Sequence, residues 1–205
     1  MVFGDSSKFA IESKITKAYE RLSFRALGYF AIHIAGCRYG VIAPDATMLA
    51  CSFDEVERRI ARRGNHTAPF ATEPDAGKIA DAIREAIYDL QPVKDSALGI
   101  PHPDFEKILH SCHICWAPDG DEAFDDGCNV LQFDVGDRVR LIAYKLKSSG
   151  ENFRHDPDTL QDLWLDANVF YGVLQSWRDA FEAEWRAASQ TAESEDEAEI
   201  IRPSS

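Results

Sequence analysis

The chain has 205 residues, of which 45% are hydrophobic, and its 35 acidic and 22 basic residues give a formal net charge of −13. A chain of this length buries roughly 70% of the surface that its unfolded form exposes, so one domain with a proper core is expected. The negative charge argues against binding naked nucleic acid or an anionic membrane through bulk electrostatics, and it favours basic partners or simple solubility.

The first forty residues predict β-strands. Apolar residues at Phe9, Ile11 and Ile15 indicate an opening strand. The apolar run 27–34 is followed by Gly36, which suits a tight turn, and then by a second strand. This hairpin is expected to place its first strand in the centre of a sheet.

Helices are predicted in the middle of the chain. Ser52 and Glu55 match a capping box, and Gly64 suits the end of the helix that they begin. Apolar residues at spacings of three and four predict a second helix, and a proline in a first helical turn predicts a third. The three predicted helices cover 53–63, a segment after Pro74, and 103–111.

The second half of the chain predicts a hairpin and a long helix. Residues 129–134 and 138–146 alternate around a Val-Gly-Asp turn, and Asp166 is a good N-cap for a helix that ends near Ala188. One face of that helix carries the apolar residues Phe170, Leu174, Trp177, Phe181 and Ala188. These elements predict an α+β domain with a mostly antiparallel sheet, packed by several helices that include a long C-terminal one.

The ends of the chain predict its organisation and location. Residues 191–205 contain five acidic residues against one arginine and no aromatic anchor, which predicts a disordered acidic tail behind a single domain over residues 1–190. The N-terminus has no export signal, and no apolar stretch approaches the roughly 20 residues of a membrane span. The sequence therefore predicts a cytoplasmic protein, whose odd number of cysteines indicates reduced thiols.

Cys112 and Cys115 form a CxxC pair, with His110 and His113 beside it. Such a pair is half of a zinc site, but only Cys128 and distant histidines remain to complete the four ligands. The sequence therefore predicts no metal or other cofactor and no catalytic residue. A zinc protein or an enzyme that uses Cys112 and Cys115 is the alternative.

Two further features have ordinary structural interpretations. His33 lies in the predicted central strand and lacks a placed catalytic partner, so a hydrogen-bonded core or pocket histidine is expected. A basic cluster at the end of the first helix is expected to interact with the helix dipole and to pair with Glu55 and Glu57, and an anion or acidic-partner contact is the alternative. The cluster consists of Arg58, Arg59, Arg62 and Arg63.

An acidic loop precedes the predicted 129–146 hairpin and is the most informative feature of the chain. Like charges at this density are tolerated where water or a cationic partner offsets their repulsion. The spacing of the carboxylates along this loop does not match the ligand positions of an EF-hand calcium site. A solvated turn is the plain interpretation, and a partner-facing patch is the functional one. The predicted partner-binding residues are Asp119, Asp121, Glu122, Asp125 and Asp126.

Four segments of the chain resemble a known family. They read FGDSSKFAIE, DATMLACSFDEVERRIARRG, WAPDGDEAFDDG with LQFDVGDRVRLIA, and FYGVLQSWRDAFEAEW. Together they resemble the immunity protein 42 family of bacterial polymorphic-toxin systems, over roughly residues 2–188. The resemblance implies a non-enzymatic, cytosolic antitoxin that binds a cognate toxin domain and blocks it. It assigns no contact residues.

Many toxin domains act on nucleic acids or nucleotides and so present basic clefts, which an acidic loop on a rigid hairpin fits. The expected partner is therefore a cognate toxin domain, with a basic nuclease as the specific expectation and no direct contact to nucleic acid or membrane. An acidic mimic of nucleic acid that binds many basic proteins is a further alternative. The pattern is compatible with a monomer or a dimer.

Overall fold

The computed structural model describes residues 1–88, 96–116, 122–149 and 152–200. A first antiparallel sheet contains β1 (Val2–Asp5), β2 (Phe9–Ala18), β3 (Ala26–Ile34), β4 (Cys37–Tyr39) and β5 (Thr47–Met48). A second contains β8 (Cys128–Val135), β9 (Arg138–Ser149), β10 (Asn152–His155) and β11 (Gln161–Asp166). A small hairpin is formed by β6 (Ser96–Ala97) and β7 (Ile100–Pro101). The helices are α1 (Leu49–Ala61), α2 (Ala76–Tyr88), α3 (His102–Cys112) and α4 (Ala167–Ile200).

The predicted α+β class is confirmed, although the strands form two main sheets where one was expected. In the first sheet the order is β1-β2-β3-β4, and β5 also pairs with β3. The predicted hairpin is present: β3 and β4 join through Ala35 and Gly36, whose φ angles are both positive. Gly36 thus supplies the turn backbone that a primed hairpin turn requires. The central position of β3 is confirmed as well.

The second sheet lies between two hydrophobic cores. Because successive side chains of a strand point to opposite faces, β8 and β9 send alternate residues into each core. Val130 and Leu141 join the core shared with the first sheet, α1 and α4. Leu131 and Ile142 join the core shared with α2 and α3. This hairpin was predicted, whereas β10 and β11, which pair along the other edge of β9, were not.

Helix α4 begins as the sequence predicts. The Asp166 carboxylate accepts hydrogen bonds from the backbone nitrogens of Asn168 and Val169 at 2.8 and 3.1 Å, which confirms the N-cap. The apolar face packs on the first sheet, and the Trp177 indole donates to the Ser13 hydroxyl at 2.9 Å. The helix continues to Ile200, beyond the predicted end near Ala188. The division into a domain over 1–190 and a tail over 191–205 stays a prediction.

Helix α1 begins earlier than predicted. It starts at Leu49, directly after β5, and its N-cap residue Met48 makes no side-chain cap bond. Ser52 is buried inside the helix and does not cap it. Burial of Leu49 and Ala50 in the core sets this start, so packing outweighs the local capping signal. Among the described residues, none of the helices combines the length and the apolar character that crossing a membrane requires.

Candidate functional site

The acidic loop joins the second sheet through a short 3₁₀ turn, Glu122–Phe124. Ala123 and Phe124 are buried, and the Phe124 ring meets the edge of Phe30 with the ring centroids 6.2 Å apart. The Ala123 carbonyl accepts a hydrogen bond from the backbone nitrogen of Val41 at 2.8 Å. This half of the loop is therefore anchored to the first sheet and leads directly into β8.

The predicted partner-binding residues have different surroundings. Glu122 and Asp125 are exposed, and neither side chain makes a hydrogen bond or ion pair with the part of the chain that the structure describes. Asp126 is half buried. Asp119 and Asp121 lie outside the described residues. On the described half of the loop, Glu122 and Asp125 are thus the carboxylates that a partner can reach directly.

Asp126 turns back onto the second sheet. Its Oδ2 atom lies 2.6 Å from Nζ of Lys145 on β9, and its Oδ1 atom accepts a bond from the backbone nitrogen of Cys128 at 3.3 Å. The hydrogen bond with Asp126 raises the pKa of Lys145. Burial, followed by the Asp126 contact, raises the pKa of the Cys128 thiol to about 12. Asp126 therefore holds the loop in place, and its charge is balanced within the chain.

Beneath the loop, β8 is fixed by Arg59 of α1, which is almost completely buried. Its Nε atom lies 2.8 Å from a Glu55 carboxylate oxygen, and its Nη1 atom donates to Oε1 of Gln132 at 3.1 Å. Nη1 also donates to the carbonyl oxygen of His113 at 3.3 Å, and Nη2 donates to that of Cys115 at 2.6 Å. Burial lowers the pKa of Arg59, and the neighbouring Glu55 opposes that effect. Arg59 thus joins α1 to β8 and to the chain that leads into the acidic loop.

The predicted role of the arginine cluster is correct only in part. Arg58 and Arg59 both pair with Glu55, as expected from their spacing. Arg63 donates to the Asn168 side chain at 2.7 Å at the start of α4. The burial of Arg59 was not predicted, because the local sequence treats all four arginines alike. The polar Gln132 among the apolar residues of β8 was the available signal that a polar partner lies in the core.

A hydrogen-bonded network continues from Gln132 into α4. The Tyr171 hydroxyl donates to the Asp134 carboxylate at 2.9 Å and accepts from Nε2 of Gln132 at 2.8 Å. Asp134 also accepts from the backbone nitrogen of Gly64 at 2.7 Å. These buried polar groups satisfy each other's hydrogen-bonding capacity. A fully hydrogen-bonded network of this kind holds the surrounding core in one arrangement. The network thus holds the hairpin rigidly behind the loop.

The Cys112 and Cys115 segment folds as a helix end. Cys112 is the last residue of α3, and His113 adopts a left-handed conformation with a φ of 49°. Burial raises the pKa of the Cys115 thiol to about 11. Across the described ranges, no three His, Cys, Asp or Glu side chains gather as a metal ion would require. These residues give the zinc alternative no support.

His33 lies on a half-buried face of the first sheet, where strand pairing places it beside Arg38. Its Nε2 atom is 2.8 Å from Oε2 of Glu12, so the expected hydrogen bond is present, although the ring is half-buried on a sheet face and not in the core. The Tyr29 hydroxyl donates to the other oxygen of Glu12 at 3.2 Å. The three side chains form one half-buried polar group on a sheet face.

Comparison with known proteins agrees with this architecture. No curated protein matches the chain. The solved structure of CdiI from Burkholderia dolosa AUO158 is similar at 15% sequence identity with a TM-score of 0.53, over 86% of this chain and 97% of that one. At this identity the likeness concerns the fold. The family model of immunity protein 42 matches residues 1–180. The chain belongs to the immunity protein 42 family.

Proposed function

We propose that this immunity protein binds a cognate toxin domain directly and inhibits it by setting the acidic loop into a basic cleft. Its family makes the chain an immunity protein, a protein that neutralises a toxin. The observation that carries the proposed mechanism is the exposure of Glu122 and Asp125 on a loop whose neighbouring residues are anchored. Inhibition by occlusion needs no catalysis, and the protein acts as a binder in the cytoplasm.

The loop suits fast and tight association. Ala123, Phe124 and Asp126 hold the segment that carries the two exposed carboxylates, so little conformational entropy remains to be lost on binding. The net charge of −13 attracts a basic partner over a distance, which raises the association rate at low salt. A nuclease or another nucleotide-acting toxin fits this chemistry, because its substrate cleft is basic.

Recovery of the partner from native cells tests the proposal. The full chain carries a C-terminal tag and is washed at about 0.3 M salt, where contacts between exposed charges are largely screened. We expect one effector domain to stay bound. We also expect co-production of the chain to restore growth that this domain stops. The absence of any bound effector, or binding without rescue of growth, would contradict the proposal.

The acidic-mimic alternative gives a different result in the same experiment. A general mimic of nucleic acid holds many basic proteins and releases them as the salt concentration rises. An immunity protein holds one toxin and ignores related ones. Elemental analysis of the purified chain tests the zinc alternative, which requires stoichiometric metal.

A further inference from the structure

The first sheet has one face that no helix covers within the described residues. Helices α1 and α4 pack against its inner face, with Leu49 beside Gly28 and the Trp177 indole on Ser13. Strand pairing puts His33 beside Arg38 and Tyr29 beside Lys14 on the opposite face. We call this the outer face, and the side chains that define it are Glu12, Lys14, Tyr29, His33 and Arg38.

The centre of the outer face is preorganised. Glu12 uses one carboxylate oxygen for His33 at 2.8 Å and the other for Tyr29 at 3.2 Å, so both rings are held in place. Burial would raise the pKa of Glu12, but the hydrogen bonds from His33 and Tyr29 outweigh it and lower that pKa. Rings fixed before binding lose little rotamer freedom when a partner arrives.

The groups that remain free on the outer face are cationic. Lys14 and Arg38 are exposed, and neither forms an ion pair with the described part of the chain. The Glu12 oxygens are already occupied, so the ammonium and guanidinium groups are the ones that meet a partner. On a chain with a net charge of −13, this face is complementary to carboxylates. Tyrosine and arginine are also the residue types that contribute most often to binding hot spots.

The outer face also supplies area that the acidic loop lacks. A stable protein interface buries about 800 Å² on each partner. Two exposed carboxylates on a short loop provide only a small part of that. Strands β1, β2, β3 and β4 have 4, 10, 9 and 3 residues. At a rise of about 3.3 Å per residue and a strand spacing of about 4.8 Å, they add roughly 400 Å².

The outer face and the acidic loop belong to one continuous surface. Arg38 is close enough to Glu12 to lower the pKa of that carboxyl, and close enough to Lys145 to oppose the rise in the pKa of the lysine. Lys145 in turn binds Asp126 of the loop. The geometry of the backbone agrees, because Val41, three residues after Arg38, donates from its backbone nitrogen to the Ala123 carbonyl of the loop at 2.8 Å.

We infer that the outer face is the second half of the toxin-binding surface and that it receives an acidic segment beside the basic cleft of the toxin domain. This inference rests on the proposed function. It gives the interface a charge of each sign, with carboxylates of the loop on one side and Lys14 and Arg38 on the other. Such a pattern fixes the orientation of a partner and rejects partners with the wrong charges.

The test uses the effector domain that the wild-type chain recovers from native cells. The outer-face variant carries Lys14→Glu and Arg38→Glu. The control carries Lys78→Glu on α2 and Lys107→Glu on α3. Both lysines are exposed, and both helices pack on the other core, away from the first sheet. Both variants change the net charge by the same amount. Any difference between their affinities for the effector domain therefore depends on where the substituted residues lie. We expect the outer-face variant to bind at least about tenfold more weakly than the control at physiological salt, with the same unfolding midpoint as the wild type.

The other possible outcomes would each overturn the inference about the outer face. Equal Kd values for the outer-face variant and the control would overturn the inference. If, in addition, a loop variant with Glu122→Gln and Asp125→Asn lost affinity, the proposed function would stand without the outer face. A wild-type chain that recovers no effector overturns both. Binding of a single-stranded oligouridine that the outer-face variant abolishes, with effector binding intact, would show that nucleic acid occupies the face and would overturn the inference.

Discussion

The Nζ atom of Lys145 lies 2.6 Å from Oδ2 of Asp126 and ties the base of the acidic loop to the central strand of the second sheet. The two side chains are 36% and 25% exposed, so the pair contributes at most about 1 kcal/mol to stability. Its larger effect is on the distribution of charge. Asp125 and Asp126 are neighbours in sequence, yet of the two only Asp125 presents to solvent a carboxylate that has no cationic partner among the described residues.

Charge neutralisation in the loop should separate these two roles. Glu122→Gln with Asp125→Asn should slow association with the toxin domain several-fold at low salt, because electrostatic steering is lost. Asp126→Asn with Lys145→Gln removes an ion pair whose net charge is zero. This variant should change the on-rate by less than about twofold. Stopped-flow mixing at low and high salt measures both rates.

The control for net charge in that experiment is Asp104→Asn with Glu106→Gln on α3, where both residues are exposed. It should keep the wild-type on-rate to within about twofold, because α3 lies against the other core. Equal slowing by this control and by the loop variant would mean that the overall charge, and not the loop, guides the toxin.

Replacement of the buried arginine should destabilise the fold. Arg59→Met leaves Oε1 of Gln132 and one oxygen of the Glu55 carboxylate without their partner, and we expect a loss of about 3–5 kcal/mol in the free energy of unfolding. Denaturant titration measures it. Arg62→Met on the same helix is exposed and should change the same free energy by no more than about 0.5 kcal/mol. A similar loss in both variants would refute the assigned role of Arg59.

Arg59 also shows what the sequence could predict and what it could not. Its pairing with Glu55 follows from a spacing of four residues, and such local patterns predicted α2, α3, α4 and the hairpin of β8 and β9. Its contact with Gln132 spans 73 positions and depends on how the elements pack. No periodicity within one element carries that information.

The same limit applies to the candidate site. Charge density alone pointed to the acidic loop, but Asp126 meets Lys145 across a strand pair, 19 positions away. The outer face was missed for a related reason: Glu12, Tyr29 and His33 come together only when β2 and β3 pair in register. The alternation of each strand indicated a sheet face without indicating that no helix covers it.

Stability should fall in mildly acidic solution because of His66. Burial, and then Arg59, lower the pKa of this histidine, whose Nδ1 atom donates to the carbonyl oxygens of Cys112 and His113. As the pH falls, His66 takes up a proton near pH 6.5 in the unfolded chain and at a lower pH in the native chain. The contribution of His66 is therefore fully present above pH 6.5 and is lost as the pH falls towards the folded pKa, by at most about 1.4 kcal/mol per pH unit.

Urea titrations across this pH range test the assignment. His66→Gln should flatten the dependence of the unfolding free energy on pH. His110→Gln, at an exposed position on α3, should leave that dependence unchanged. An unchanged slope in the His66 variant would assign the acid sensitivity to other groups.

Thiol reactivity should rank the cysteines by burial. Thiolates are the reactive form, and burial raises the pKa of Cys115 to about 11 and that of Cys128 to about 12. An aromatic disulfide reagent at mildly alkaline pH should therefore modify the exposed Cys51 first and reach Cys115 and Cys128 only as the chain unfolds. Cys51→Ser should remove the fast phase. Fast reaction of Cys115 in that variant would show that its thiol is accessible in the native state, and it would contradict the burial that raises its pKa.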